Sequence, residues 1–302
     1  MGIENSALHF LLSSRKTGVS FARTITLGRQ DLLLRPPQFK ALLHQYGHCA
    51  TDEEVERILK EANQFADPLF RVLGAQVIDS MDYSSFESAT VVHDMNQPIP
   101  EGLGQRYSLV FDGGTLEHVF NFPQAIQNCM KMVEVGGHFL TVTPCNNMMG
   151  HGFYQFSPET FYRVFCEDNG FQVEKMYINE GWGSGPWLQV ADPDKIQRRV
   201  GCVTGAVTNL YVRARKTRDV QIFSAMPYQS DYSTIWNNQP SRDGGTHRLD
   251  FFNKIPAPRP SLLEAMGRFL PEPLRSHLRM YRQYRRMLLD IDPEMFQEIK
   301  PD

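Results

Sequence analysis

Short apolar, β-rich runs recur along the chain and alternate with stretches whose apolar positions repeat at helical spacing. The first run, Ala22 to Leu27, predicts a strand that ends at Gly28. Two helical patterns follow. One runs from Pro37 to Tyr46, and the next is opened by Thr51-Asp-Glu-Glu54 and runs to Asn63. A threonine N-cap with acids in the first turn satisfies the free amides of a helix start. A shorter helix is expected over Pro68–Leu73, then strands over Ala75–Met81 and Ala89–Asp94. Asn96-Gln-Pro-Ile-Pro100 is neither strand nor helix interior, because two prolines interrupt it. Tyr107–Asp112 reads as a fourth strand stopped by Gly113-Gly114. The helix that follows, Pro123–Val133, carries Ala125, Cys129, Met132 and Val133 on one face. Gly136-Gly137 turns the chain into a fifth strand, Phe139–Thr143, which Pro144 ends. Ser157-Pro-Glu-Thr160 starts a helix that ends near Gly170. Strands over Phe171–Ile178 and Val207–Arg215 complete the series, with a glycine-rich loop carrying Trp182 and Trp187 between them.

Strands alternating with helices predict βα units around a largely parallel sheet, an α/β fold. After Lys216 the periodicity is lost. Residues 219–260 are rich in Ser, Asn, Asp, Pro and Gly, and a helical pattern returns only over Glu272–Leu289. The expected organisation is therefore an α/β domain over 1–218 and a C-terminal extension over 219–302. In that extension Leu274, Leu278, Tyr281 and Leu288 share a stripe, with Arg275, Arg279, Arg282 and Arg286 on another. Such a helix packs on the domain with a solvated basic face, or makes peripheral contact with an anionic membrane.

Composition narrows the class. With 302 residues, 41% hydrophobic and 22% charged, the chain can bury a large core and is not disordered. Lys+Arg number 31 and Asp+Glu 34, so the formal charge of −3 gives no reason to expect a nucleic-acid partner. The N-terminal MGIENSALHFLLSS lacks the basic region and cleavage site of a signal peptide. Five cysteines, odd in number and without a CxxC pair, fit a reducing, cytoplasmic compartment and no structural zinc. His44 and His48 share one helix face, but no third ligand lies near in sequence, so they read as solvated surface and no metal is expected.

Open α/β sheets bind ligands beyond the carboxyl ends of their strands. Here those ends carry Asp79 and Asp82, Asp94, Asp112, and Pro144-Cys-Asn-Asn147. The segment Tyr107-Ser-Leu-Val-Phe-Asp-Gly-Gly-Thr-Leu-Glu-His-Val119 resembles the fourth-motif region of class I S-adenosylmethionine-dependent methyltransferases of the type 11/12 kind. Met130-Lys-Met-Val-Glu-Val-Gly-Gly-His-Phe-Leu140, Phe156-Ser-Pro-Glu-Thr-Phe161 and Asn169-Gly-Phe171 are similar to the passages that follow it. The resemblance spans about 22–216 and is densest over 107–178. It implies a seven-stranded, mostly parallel Rossmann-like sheet with the last strand antiparallel. It also implies S-adenosylmethionine as cofactor, lying across the first four strand ends. By position, Asp82 would take the ribose, with Asp79 the competitor. Asp94 and the Met95 amide would take the adenine, and Asp112 and Gly113 would lie near the methionine part. The first motif is degenerate: Leu27-Gly-Arg-Gln30 stands where the family has an acid and a GxGxG run, so Gly28 is the one glycine left there. Either the loop is rebuilt, with Arg29 or Gln30 toward the donor carboxylate, or donor binding is lost.

His151, in Gly150-His-Gly-Phe-Tyr154 after the fifth strand, is the candidate base for an acceptor hydroxyl. Its plain alternative is a loop histidine with a structural hydrogen bond. His118 is the second candidate, although Glu117-His118 is more often structural in the family. Methyl transfer asks mainly for positioning, so a missing catalytic dyad excludes nothing. The expected activity is methyl transfer to a hydroxyl, less an amine, of a small molecule or glycan. The alternative is a non-catalytic, methyltransferase-shaped binding or assembly protein. Trp182 and Trp187 would line a substrate or sugar surface, or pack the extension.

Overall fold

A computed structural model of the chain describes residues 2–181, 183, 185–197, 199–202, 204–232, 271 and 292–300. Trp182 and the basic helix expected over 272–289 lie outside the described residues. The elements run β1 (Gly2–Ile3), α1 (Asn5–Lys16), β2 (Arg23–Leu27), β3 (Asp31–Leu32), α2 (Pro36–Gln45), α3 (Asp52–Ala62) and α4 (Asp67–Val72). Then come β4 (Val77–Asp82), β5 (Val91–Val92), β6 (Tyr107–Asp112), α5 (Phe122–Met132), β7 (Val133–Asn146), α6 (Pro158–Val164) and β8 (Phe171–Glu180). β9 (Trp187–Val190), α7 (Pro193–Ile196), β10 (Thr208–Lys216) and β11 (Phe296–Ile299) complete the described elements.

The main sheet has the order β11-β9-β8-β10-β7-β6-β2-β4-β5. The seven expected strands form its contiguous block from β8 to β5. β10 lies antiparallel between β7 and β8, while β2, β4, β5, β6 and β7 pair parallel. The sheet is nine-stranded rather than seven-stranded because β9 adds antiparallel to β8, and β11 adds antiparallel to β9. β11 comes from the segment assigned to the extension.

Local chemistry accounts for the elements. β6 is buried at every position and therefore reads as a continuous apolar run. Thr51 caps α3 in a reciprocal capping box with Glu54. Thr24 and Thr26 remain inside because their hydroxyls donate to the carbonyls of Phe21 and Gly28. β5 is shorter than the Ala89–Asp94 run, since Thr90 is tied to Ser80 through its hydroxyl and Asp94 has already entered a turn. β7 is longer than expected: Gly137 stands within it, where a Cβ would press on the Ser108 carbonyl at 2.9 Å, and Pro144 is also part of the strand.

Two cores flank the sheet. On one face α5 and α6 cover Ile25, Leu27, Val110 and Phe139, with Phe139 stacked on Phe165 at 5.0 Å. On the other face α1 to α4 cover Leu109, Phe111, Leu140 and Tyr211. Trp187 is buried in this second core against His9, Tyr177 and Tyr211, and its strand position pairs with Ile299. It lines no sugar-binding surface; it packs the returning C-terminal strand. His44 faces the Ala50 carbonyl at 2.8 Å and His48 faces Arg15 at 3.0 Å, so each has a structural partner. Among the described residues no helix is long and apolar enough to cross a membrane.

Phe139→Ala removes a fully buried ring from the α5/α6 core and is expected to cost roughly 3–5 kcal/mol, read as a lowered denaturant midpoint at unchanged slope.

Candidate functional site

Register brings the expected residues to one level. Leu27 pairs with Met81 on one side and with Asp112 on the other. Gly28, Asp82 and Gly113 therefore meet at the carboxyl ends of β2, β4 and β6. The connection after β2 runs through α2–α4 on one face, and the connection after β6 runs through α5 on the other. The crevice between β2 and β6 is thus the point where the strand order reverses, the ordinary ligand site of an open α/β sheet.

Gly28 has φ +68°, a left-handed conformation that suits glycine. Its amide donates to the Met81 carbonyl at 2.7 Å. The Thr115 hydroxyl and the Gln30 amide nitrogen both donate to the Leu27 carbonyl, at 2.8 and 2.5 Å. Gln30 is buried, and its carbonyl Oε1 has no hydrogen-bond partner. That amide lies over Gly113, where an added Cβ would collide with it. Arg29 is committed elsewhere: it stacks on Phe65, pairs with Asp67 at 3.3 Å and donates to the Glu87 carbonyl at 3.0 Å.

Asp79 sits opposite Ile25 within the sheet, and its carboxylate accepts from Thr90 and from the Tyr107 hydroxyl. Asp82 is the acid at the strand end; it is half-buried and accepts from the Ser84 amide at 3.2 Å. Asp94 accepts from the backbone and side-chain amides of Asn96, which hold its carboxyl below the usual range. The Met95 side chain is buried, and its carbonyl accepts from Asn128. Asp112 differs from what its position in the motif implies. It is fully buried and accepts from the Thr115 and Leu116 amides and from the Thr141 hydroxyl. Burial pushes its pKa up. Gly113 is left to line the crevice.

The other end of the same turn carries a second cluster. Glu117 is wholly buried, and its Oε2 accepts from the Thr143 hydroxyl at 3.2 Å. Burial, then the charge of Asp112, raise its pKa to about 8. Its Oε1 faces His151 Nε2 at 3.5 Å, and neither atom makes a hydrogen bond. The His118 and His151 rings lie edge to face at 4.9 Å, and partial burial with His151 beside it lowers the His118 pKa. The loop is fastened from above, since Phe153 and Tyr154 both donate their amides to the Glu117 carbonyl. Gly152 makes that approach possible, with φ +76° and an imagined Cβ only 2.8 Å from the Glu117 oxygen. Exposed Phe120 and Phe153 pack edge to face at 5.7 Å beside the histidines.

Of the residues expected from sequence, Gly28, Asp82 and Gly113 come to one level at the carboxyl ends of β2, β4 and β6, with Asp94 and Met95 beyond β5. His118 and His151 converge on each other. Glu117 was noted from sequence only as the structural neighbour of His118, and Thr141 and Thr143 had no individual signal; their contacts emerge only once β6 and β7 are paired.

No family model matches the sequence, and no curated protein matches it. Solved structures with which it shares a similar chain path include a candidate methyltransferase from Bacillus halodurans C-125, at 10% identity and TM-score 0.41, over 72% of this chain and 100% of that one. A candidate S-adenosylmethionine-dependent methyltransferase from Listeria monocytogenes aligns at 12% identity and TM-score 0.38, over 70% and 100%. The N-methyltransferase NodS from Bradyrhizobium japonicum WM9, solved with S-adenosyl-L-homocysteine, aligns at 12% identity and TM-score 0.35, over 70% and 86%.

Thr141→Val leaves the buried Asp112 oxygen without its donor and is expected to cost about 1–3 kcal/mol in chemical unfolding. Gly152→Ala is expected to destabilise by about 1 kcal/mol or more and to speed hydrogen exchange at the Phe153 amide.

Proposed function

We propose that this chain is an S-adenosylmethionine-dependent methyltransferase acting on a hydroxyl, and secondarily an amine, of a small molecule. The observation that carries the reading is the crevice at the strand-order reversal, lined by Gly28, Asp82 and Gly113, beside the His118–His151 pair. The residues present fit the donor. Gln30 Oε1 is an orphaned buried acceptor held over Gly113, the kind of atom that a primary ammonium satisfies. Asp82 can accept from two ribose hydroxyls, Asp94 from an exocyclic amine, and the Met95 amide can donate to a ring nitrogen. When bound, the donor supplies a methyl group on a cationic sulfur, a leaving group that needs no covalent help.

The protein's part is then orientation and proton transfer. His151 takes the proton of the acceptor hydroxyl at an imidazole nitrogen. Glu117 beneath it and the two amides on the Glu117 carbonyl fix the loop that presents the ring. Phe120 and Phe153 offer an apolar wall to the acceptor. With Trp187 in the core, a small molecule is favoured over a glycan as acceptor. The second reading, a non-catalytic binding protein, is favoured by one feature, the Gln30 amide packed onto Gly113 where the family has open glycine backbone.

Titration calorimetry with S-adenosylmethionine and S-adenosylhomocysteine separates the two. The expected result is saturable binding that Asp82→Ala weakens about tenfold or more, the loss of hydrogen bonds to a charged group. No heat from folded protein with either ligand would establish the non-catalytic reading. For a hydroxyl acceptor, His151→Ala is expected to lower kcat about a hundredfold at unchanged donor affinity.

A further inference from the structure

We infer that Glu117, His118 and His151 form a binding site for a borderline divalent transition-metal ion, zinc being the natural occupant. One ligand atom from each residue lies within 4.8 Å of the others. The arrangement is neither a surface cluster of acids nor an ordinary hydrogen-bonded triad. Glu117 is fully buried, yet its Oε1 accepts no hydrogen bond, and the atom it faces at ion-pair distance, His151 Nε2, is likewise buried and makes none. A buried carboxylate oxygen without a donor is costly, and a cation shared with the imidazole removes that cost.

The spacing fits. Ligand bonds of about 2.0–2.2 Å in a tetrahedral zinc site place neighbouring ligand atoms roughly 3.3–3.5 Å apart, and Glu117 Oε1 and His151 Nε2 are separated by 3.5 Å. Two imidazoles and one carboxylate suit zinc and its neighbours rather than magnesium, which prefers oxygen donors and retains its waters. Glu117 also has the outer support expected of a metal-binding carboxylate: the Thr143 hydroxyl holds its second oxygen, and the Phe153 and Tyr154 amides hold its backbone carbonyl. Gly152 brings His151 down onto Glu117, and His118 is the exposed member of the group, on the solvent side. Three protein ligands leave the fourth position open on that exposed side, as in catalytic rather than structural zinc sites. An acceptor oxygen entering there would be held and acidified by the ion. In the metal-bound form His151 is then a ligand, and the hydroxyl proton leaves to solvent.

The test uses the untagged full chain, stripped with chelator and titrated with Zn2+ by calorimetry and with Co2+ by visible absorption. The expected result is one ion per chain, with Co2+ giving the d–d bands of a low-coordinate nitrogen and oxygen site. Glu117→Gln and His118→Ala are each expected to weaken binding about tenfold or more, while His44→Ala leaves it unchanged. His118 is exposed, so its variant reports on binding even if Glu117→Gln disturbs the fold. Absence of stoichiometric uptake, uptake indifferent to both substitutions, uptake that follows His44, or Mg2+ bound as tightly as Zn2+ would each overturn the assignment. Neither donor nor acceptor is present in these titrations, so failure of the methyl-transfer reading leaves their outcome intact.

Discussion

A carboxyl group removed from water must have its oxygens hydrogen-bonded, and the turn that follows β6 is organised around meeting this requirement. Asp112 has no exposure, and its donors come from two places: the Thr115 and Leu116 amides just ahead of it, and the Thr141 hydroxyl on the neighbouring strand. To supply those amides the chain must curl back over the end of β6. The same curl sets the Thr115 hydroxyl on the Leu27 carbonyl, which closes the β2 side of the crevice. It also points Glu117 inward to Thr143, which places the carboxyl under His151. One buried acid therefore fixes the lining of the proposed donor crevice and the floor of the histidine cluster together.

The same geometry couples the two ends electrostatically. Glu117 and Asp112 are both buried, and burial raises the pKa of each. The charge of Asp112 raises that of Glu117 further, because two carboxylates sharing a low-dielectric region resist joint ionisation. Asp112 has three donors around it and Glu117 has one side-chain donor, so the negative charge is better supported at Asp112. Glu117 is left as the acid whose state responds to what sits opposite, whether an imidazole, a proton or a cation.

Where local sequence chemistry decides an element, the chain was legible. β6, buried throughout, was bounded residue for residue at Tyr107 and Asp112, and the Thr51 capping box marked α3. α1 was not legible, because it buries Ser6, Ser13 and Ser14 among its apolar residues, which blurs the helical stripe. Ser6 is inside because its hydroxyl meets that of Tyr211 at 2.7 Å, a partner from the far end of the domain. β11 pairs with β9 across about a hundred residues, so no local pattern announces it, and β9, four residues long, adds to β8 through a glycine-rich loop that carried no strand pattern. The site divides in the same way. Motif order marked Asp82, Asp94 and Gly113 as candidates and preferred Asp82 to Asp79. The register adds that Asp79 stands opposite Ile25 with both of its oxygens hydrogen-bonded. The Glu117–His151 contact needed the β6/β7 pairing and the left-handed Gly152, neither of which a motif encodes.

The Leu27-Gly-Arg-Gln30 loop can be set against what a glycine-rich loop provides physically: room for close approach, and polar groups turned toward the ligand. Here one glycine stands on each side, Gly28 after β2 and Gly113 after β6, and the Gln30 amide occupies the space over Gly113. The polar function passes to a side chain. Gln30 spends its amide nitrogen on the Leu27 carbonyl, which anchors it, and leaves its carbonyl oxygen buried without a donor. A packing residue would have been apolar at this position, because an unsatisfied amide costs stability that a leucine would not. The helices α2 to α4 stand between this loop and β4. A tight glycine turn feeds directly into one helix, whereas a loop that must bury Gln30 and lead Arg29 to Asp67 and Glu87 needs additional packed elements to hold it. In the proposed donor-binding reading, the unsatisfied oxygen over Gly113 is the contact this loop would offer a ligand.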